Sequence, residues 1–433
     1  MKKNKDKKRE LSRRDFLKVS TATSVTTLAL GPRQIFAAGA DTIRVGLIGC
    51  GGRGRYDINN CLTSSDGVEL VAMGDLFQDK LDGTLRFLNQ KLPDKIKVTA
   101  ENSFVGFDAY KKVLACDLDL VILTTPPYFR PEHLRAAVEA GKHIFIEKPV
   151  AVDPVGVRSV IASSELAAQK NLTLGAGTQM RYIAHLVEGI KRIHNGDLGD
   201  ILSGQCFRLG GGMLDWYQDT IVRRRNWSDM EWQCRRWLFV NWLGGDFIVE
   251  MHVHNLDIIN WALNSVPVKC MALGGRQVRT DSAYGNIFDH ITAEYVYPND
   301  VRIHYMGCQI NGVSVKHYQK LIGNKGSAYL DFGLVKIEGQ NPYLTPEDSP
   351  DPCKIQHASL IKSIREGLPI NEGRQIAEST LTAIMGRMSA YTGKELSWDW
   401  LMNSSKLDLS PSQLDFTDLP LAPVAIPGRT KLI

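Results

Sequence analysis

The sequence has no Cys-x-x-Cys pair: its eight cysteines, Cys50, Cys61, Cys116, Cys206, Cys234, Cys270, Cys308 and Cys353, are scattered along 433 residues. That spacing argues against a zinc ribbon or a dithiol redox centre, so no metal is expected. Most of the thiols read as small buried hydrophobes, and spacing alone identifies no disulfide. Apart from a short, weakly apolar stretch from Val19 to Leu30, no run is long enough to span a bilayer. The chain also lacks a surplus of positive charge where it would matter. The formal +5 comes from residues 1–40, with ten Lys or Arg and three Asp or Glu; taking these from the totals of 52 and 47 leaves 42 basic and 44 acidic groups, a net −2. No nucleic-acid partner is therefore expected. Internal repeats and low-complexity segments are absent too.

The amino terminus carries the clearest address. Ser12-Arg13-Arg14-Asp15-Phe16-Leu17-Lys18 precedes the Val19–Leu30 stretch, and Ala38-Gly39-Ala40 forms a small-residue site. This is a twin-arginine signal over residues 1–40, with the mature start near Asp41. It implies the twin-arginine translocation machinery as a partner and a periplasmic or otherwise exported location. A protein exported this way folds, and takes up any cofactor, before it leaves the cytoplasm.

Directly after the signal, the apolar run Ile43, Val45, Leu47, Ile48 reads as a buried strand that enters Gly49-Cys50-Gly51-Gly52-Arg53-Gly54. Gly49 allows a tight turn, Gly51 lets the backbone approach a pyrophosphate, and Gly54 lets the next helix pack closely on its strand. Amides at the helix start then face the phosphates. The following strand, Val68 to Gly74, ends at Asp75, where a carboxylate can accept hydrogen bonds from an adenosine ribose and would repel a 2′-phosphate. NAD is thus favoured over NADP. The other reading of Asp75 is a cap for the next helix.

Strands and helices alternate over 41–168, the pattern of a doubly wound α/β domain. Thr124-Thr125-Pro126-Pro127 closes one strand, and His143 to Glu147 is the next, running into Lys148-Pro149. Ligands bind at the carboxyl edge of such sheets, which places Lys148 at a binding edge unless it is a plain surface lysine. The proline restricts the lysine backbone, and a cis bond is one way to aim the amine. From about residue 169 to 410 the strands lengthen and alternate, as at Ile287–Tyr297 and Val301–Cys308, which predicts a mostly antiparallel open sheet. Residues 411–433 read as an extended tail.

In this second half, Asp246 caps a predicted helix from Phe247 to Leu263 that sets Glu250, His254, Asp257 and Trp261 on one face. His252 points the other way, so a metal site using both histidines does not fit a helix. Three ionisable groups on one stripe either pair together or face a wet cleft. Six tryptophans, Trp216, Trp227, Trp232, Trp237, Trp242 and Trp261, precede or join this helix. They offer flat faces for a sugar, with Trp242 as a candidate, or simply fill the core. Arg181 and Tyr182 are candidates for the cleft rim, and Arg223-Arg224-Arg225 reads as a solvated loop.

Together the glycine loop, Thr124-Thr125-Pro126-Pro127, Glu147-Lys148-Pro149 and the Glu250–Asp257 stripe resemble the glucose-fructose oxidoreductase, inositol dehydrogenase and rhizopine catabolism (Gfo/Idh/MocA) family over nearly the whole mature chain. The resemblance implies a Rossmann domain followed by an open-sheet α/β domain, with nicotinamide and sugar between them. It carries Lys148 over as the residue touching substrate hydroxyl and nicotinamide ribose, and His254 as the base. Members of the inositol dehydrogenase type commonly have aspartate where this chain has Glu250.

The expected contacts are therefore Gly49, Gly51, Gly52, Arg53, Gly54, Asp75, Thr124, Thr125, Pro126, Glu147 and Lys148 with NAD, and Arg181, Tyr182, Trp242 and Asp257 with substrate. Lys148, His254 and Glu250 are the expected catalytic residues. The expected reaction moves hydride between a secondary hydroxyl of a sugar, glycoside or cyclitol and a tightly bound nicotinamide cofactor. Two alternatives remain: a glycoside hydrolase working by transient oxidation, elimination and re-reduction, and a noncatalytic cofactor-bound sugar-binding protein. The exposed sheet face expected in the second domain favours a homo-oligomer.

Overall fold

The structure is a computed structural model that describes residues 42–212, 223–345 and 350–433. Residues 1–40, where a twin-arginine signal is expected, and Trp216 lie outside the described residues.

Six strands form the first sheet: β1 (Ile43–Ile48), β2 (Val68–Asp75), β3 (Ser103–Val105), β4 (Leu120–Leu123), β5 (His143–Ile146) and β6 (Leu174–Ala176). All run parallel in the order β3-β2-β1-β4-β5-β6. Helices cover both faces, so β4 can be apolar at every position and is buried throughout. Chain order reverses between β1 and β4, which opens a crevice at their carboxyl ends. The expected boundary at residue 168 falls inside this unit. The β6 strand, beyond 168, pairs with β5, and Leu360, Ile361 and Ile364 of the helix Pro352–Glu366 pack into the core under β1.

The second sheet has nine strands: β7 (Ile201–Leu209), β8 (Lys269–Gly275), β9 (His290–Val296), β10 (Arg302–Cys308), β11 (Lys316–Gly323), β12 (Gly326–Leu330), β13 (Val335–Gly339), β14 (Tyr343–Leu344) and β15 (Leu396–Ser397). Their order is β14-β13-β12-β11-β7-β10-β9-β8-β15, antiparallel except for the β7–β10 pair. The architecture is therefore α/β: a parallel sheet joined to a mostly antiparallel one.

The helix Gly373–Thr392 joins the two units. Almost every residue is buried, which requires small or apolar groups all round it. Its one large charged side chain that is fully buried, Arg387, donates to Val152 O at 2.7 Å and to Gly245 O at 3.3 Å, tying the end of the first unit to the second. Tyr391 on the same helix donates to Asp246, whose carboxylate also accepts from Phe288 N at 2.9 Å. These bonds hold Asp246 at φ +81°, a conformation a non-glycine residue adopts only when its surroundings impose it.

The single helix expected from Phe247 to Leu263 is in fact two, Phe247–Glu250 and Val253–Leu263, broken at Met251–His252. At the break, buried His252 turns away and its Nδ1 hydrogen-bonds the Tyr305 hydroxyl at 2.6 Å. Sequence periodicity had no means of registering that long-range bond. No helix or strand follows Asn403, and the remaining chain runs over the surface as an irregular strap.

Candidate active site

A cavity of about 890 Å³ runs from the glycine turn after β1 to the break between the two helices. The turn is shaped for close approach. Gly49 has φ +97°, and a Cβ there would lie 2.7 Å from the Thr124 backbone. A Cβ on Gly54 would lie 1.9 Å from Gly49 O, so only glycine lets the helix Gly52–Ser64 sit this close to its strand. Above Gly51 there is open space, with nothing within 4 Å of a Cβ position, and Gly51 lines the cavity. Backbone amides facing open space at a helix start suit a pyrophosphate. Thr124 Oγ1 donates to Gly49 O at 2.6 Å and holds the turn.

Asp75 lines the same cavity at the end of β2. Its carboxylate accepts from Cys50 N at 2.6 Å and Phe77 N at 2.8 Å, and it bonds no helix-capping amide of Gln78–Lys91, whose first flanking residue is Phe77. Burial pushes Asp75 up to about 6, against those two amides. A carboxylate so placed has lone pairs left for ribose hydroxyls. Gly52, Arg53, Thr125, Pro126 and Glu147 also line the cavity, so all the expected cofactor residues gather along it. These residues fit a nicotinamide dinucleotide in charge, shape and backbone exposure.

At the other end, the Lys148–Pro149 peptide is cis. Lys148 Nζ donates to Glu250 Oε1 at 3.0 Å and to Glu250 O at 2.6 Å, a buried pair formed across the two units. Glu147 turns back to accept from Arg53 Nη2 at 2.6 Å. Its space depends on Gly177, where a Cβ would lie 2.2 Å from Glu147 Oε1. Arg130, unforeseen from the sequence, donates to Thr125 O at 2.7 Å and to Pro149 O, clamping the two turns together.

His254 lines the cavity beside this pair, and its Nδ1 is buried without a hydrogen-bond partner among the described residues. Burial holds its proton affinity well below the usual histidine range, helped by the charges of Lys148, Arg208 and Arg53. Glu250 moves the other way: burial raises it, opposed by Lys148 and Arg130. Its Oε2 likewise has no partner. A neutral imidazole and an unfilled carboxylate oxygen at the end of a cavity can receive hydroxyl protons.

The four expected substrate contacts lie elsewhere. Asp257 is saturated by Arg181 at 2.9 Å, Gln375 at 2.6 Å and Ser379 at 2.6 Å, and does not line the cavity. Arg181 is spent on that ion pair and on the Trp261 ring beneath it. Tyr182 donates to Glu372 Oε1 at 2.8 Å. Trp242 donates to Gln233 at 2.8 Å and packs edge-on against Tyr128. In their place the cavity wall carries Gln179, Arg208, Trp237, Asn311 and Phe332. Gln179 was findable: β6 ends at Ala176, so Gln179 lies nearer that ligand-binding strand edge than Arg181 does. Arg208 and Asn311 gave no local signal. Trp237 is the one tryptophan among the described residues that faces the cavity. All eight cysteines are free thiols, and Arg223, Arg224 and Arg225 are exposed.

A parallel sheet with this glycine turn, a carboxylate closing β2 and a polar centre shared with a second sheet define an NAD(P)-binding oxidoreductase architecture. Residues 43–178 match the model of the oxidoreductase family with an NAD-binding Rossmann fold, so this unit is similar to the Gfo/Idh/MocA oxidoreductases. An inositol 2-dehydrogenase of Klebsiella pneumoniae is 27% identical over 223 residues, 52% of this chain and 55% of that protein. A glycosyl hydrolase family 109 protein of Shewanella pealeana is 28% identical over 198 residues, 45% of this chain and 41% of that protein. The chain thus spans about half the length of these curated relatives. The solved aldose-aldose oxidoreductase of Caulobacter crescentus is 18% identical, covering 82% of this chain and 99% of that one with a TM-score of 0.64, a likeness of fold.

Proposed function

We propose that this protein oxidises a secondary alcohol of a sugar, glycoside or cyclitol with a tightly held NAD. The observation that carries the reading is the meeting of Lys148, Glu250 and His254, drawn from two units, at the far end of a cavity that begins at the glycine turn. Bound NAD supplies the hydride acceptor. His254 takes the hydroxyl proton as the C–H pair of electrons leaves, which its neutral state permits. Lys148 Nζ sits to stabilise the oxygen as negative charge builds on it. Glu250 holds Lys148 in place and offers its second oxygen to a neighbouring hydroxyl. The Asp75 carboxylate supports NAD over NADP.

A second reading keeps the first oxidation but follows it with elimination and re-reduction, so that a glycoside is cleaved without net redox change. The likeness to a glycosyl hydrolase family 109 protein favours it. Mass spectrometry of the denatured protein should release NAD, and a glycoside panel then separates the readings. A keto product that requires an added acceptor supports oxidoreduction, free sugar without acceptor supports cleavage, and bound NAD without turnover of any glycoside indicates a binding protein.

We also propose export by the twin-arginine route, supported by Ser12–Lys18 and tested by fractionation with Arg13→Lys, Arg14→Lys as the control. Self-association is supported by the open face of the second sheet. There Leu273, Thr292, Met306, Phe207 and Tyr318 fall in one register row, and Leu273 and Met306 are exposed.

A further inference from the structure

The Asp75 end of the cavity is closed by pieces of chain from far downstream. Phe77 and Phe107 line the cavity there, and both rings are covered from outside by Phe416, which stacks on Phe77 at 5.9 Å and leans on Phe107 at 5.2 Å. Arg235, from the helix Asp229–Arg235, sits over the Phe77 ring at 3.9 Å and pairs with Asp79 Oδ1 at 3.1 Å. The strap itself is anchored on the second unit. Met230 N donates to Thr417 O at 3.2 Å, Gln233 to Leu419 O at 2.5 Å, and Asn286 to Ala422 O at 3.2 Å. Beyond these, Gly428 N donates to Thr392 O at 2.9 Å. Upstream, Leu409 N donates to Asp153 Oδ2 at 2.9 Å. The strap thus crosses from the first unit to the second, and Leu414 and Leu419 pack against the apolar cluster that includes Phe77, Phe129 and Met230.

We propose that residues 411–422, with Arg235, form a strap that seals the adenosine end and turns the dinucleotide into a non-exchanging group. The inference rests on the NAD-binding reading above. It goes further by naming the device that retains the cofactor: an adenosine moiety seated at Asp75 leaves only when the Phe416–Phe77 stack and the Arg235–Asp79 pair part. Few of the strap's bonds hold regular secondary structure, so it can lift without unfolding either sheet. Lys148 and His254, at the hydride end, line the same cavity. Such an arrangement suits an enzyme that must keep one cofactor through many turnovers.

The test measures exchange directly. Full-length protein loaded with NAD is mixed with excess thio-NAD, and the bound dinucleotide is identified by mass spectrometry over time. Phe416 is 41% exposed, so Phe416→Ala should fold normally. It should exchange about tenfold faster than the natural chain, and deletion of residues 411–433 faster still. A single-turnover oxidation by NAD-loaded Phe416→Ala should be unchanged. Equal exchange rates in the natural chain and Phe416→Ala, with melting temperatures matched, overturn the strap. Exchange within seconds in the natural chain does the same while leaving NAD binding intact, whereas absence of any bound dinucleotide overturns the cofactor reading first.

Discussion

Each of the residues proposed to react has a separate, measurable signature. Lys148→Ala and His254→Ala should each lower kcat by about 10²-fold or more while NAD stays bound, read by turnover and by released dinucleotide. Near-natural turnover in both would remove their roles. The pH profile follows from the direction of the His254 shift. Because burial lowers its proton affinity, the neutral base survives as pH falls through the ordinary histidine value of about 6.5. The acidic limb of kcat/KM should therefore lie below about 6.5, and a limb centred there that His254→Asn abolishes would show an ordinary, solvated imidazole. For Asp75 the shift runs the other way. Its carboxylate, pushed up to about 6 by burial, gains a proton as pH falls through that value and then no longer repels a 2′-phosphate. Preference for NAD over NADP, measured as a ratio of Kd values, should narrow below pH 6 and be lost at all pH values in Asp75→Ala. At this scale the sequence was legible wherever a residue adjoins a strand end. Asp75, Thr124, Glu147 and Lys148 all do, and all line the cavity.

Among the elements, the strand-turn-helix unit makes a contrast between two glycines. Gly51→Ala meets open space and should fold with little change in Tm, yet its methyl group projects where phosphate would lie, so bound dinucleotide should fall. Gly54→Ala places a methyl carbon 1.9 Å from a backbone oxygen and should lose both stability and dinucleotide. If calorimetry found Gly54→Ala as stable as the natural chain, the close helix packing would be wrong. Gly177→Ala crowds the buried Glu147 carboxylate and should cost about 1–3 kcal/mol, the usual penalty for overfilling a core. The same scale shows where periodicity misleads. The helix expected over Phe247–Leu263 has the right apolar spacing, but it breaks at Met251–His252, where His252 bonds Tyr305. The break leaves Glu250 and His254 facing the cavity while Asp257, a turn further on, is directed into the helix Gly373–Thr392.

Considered as a whole molecule, the site forms where the two units, joined by one buried helix, meet. Self-association through the open sheet face should be visible by light scattering, and Leu273→Glu with Met306→Lys should lower the mass if that row is the contact; an unchanged mass would assign the contact elsewhere. By itself the sequence determined the parallel unit, its glycine turn, the carboxylate after β2 and the Glu-Lys-Pro turn, because each is specified by neighbours within a few positions along the chain. Only the tertiary structure decided which polar groups of the second half remain available. Asp257 meets Gln375 across 118 positions and Ser379 across 122, and its capacity for substrate is consumed there. Glu250 meets Lys148 across 102 positions and stays at the cavity. Helical spacing places both carboxylates on the same stripe; what separates them is which distant donor the folded chain brings within hydrogen-bonding reach.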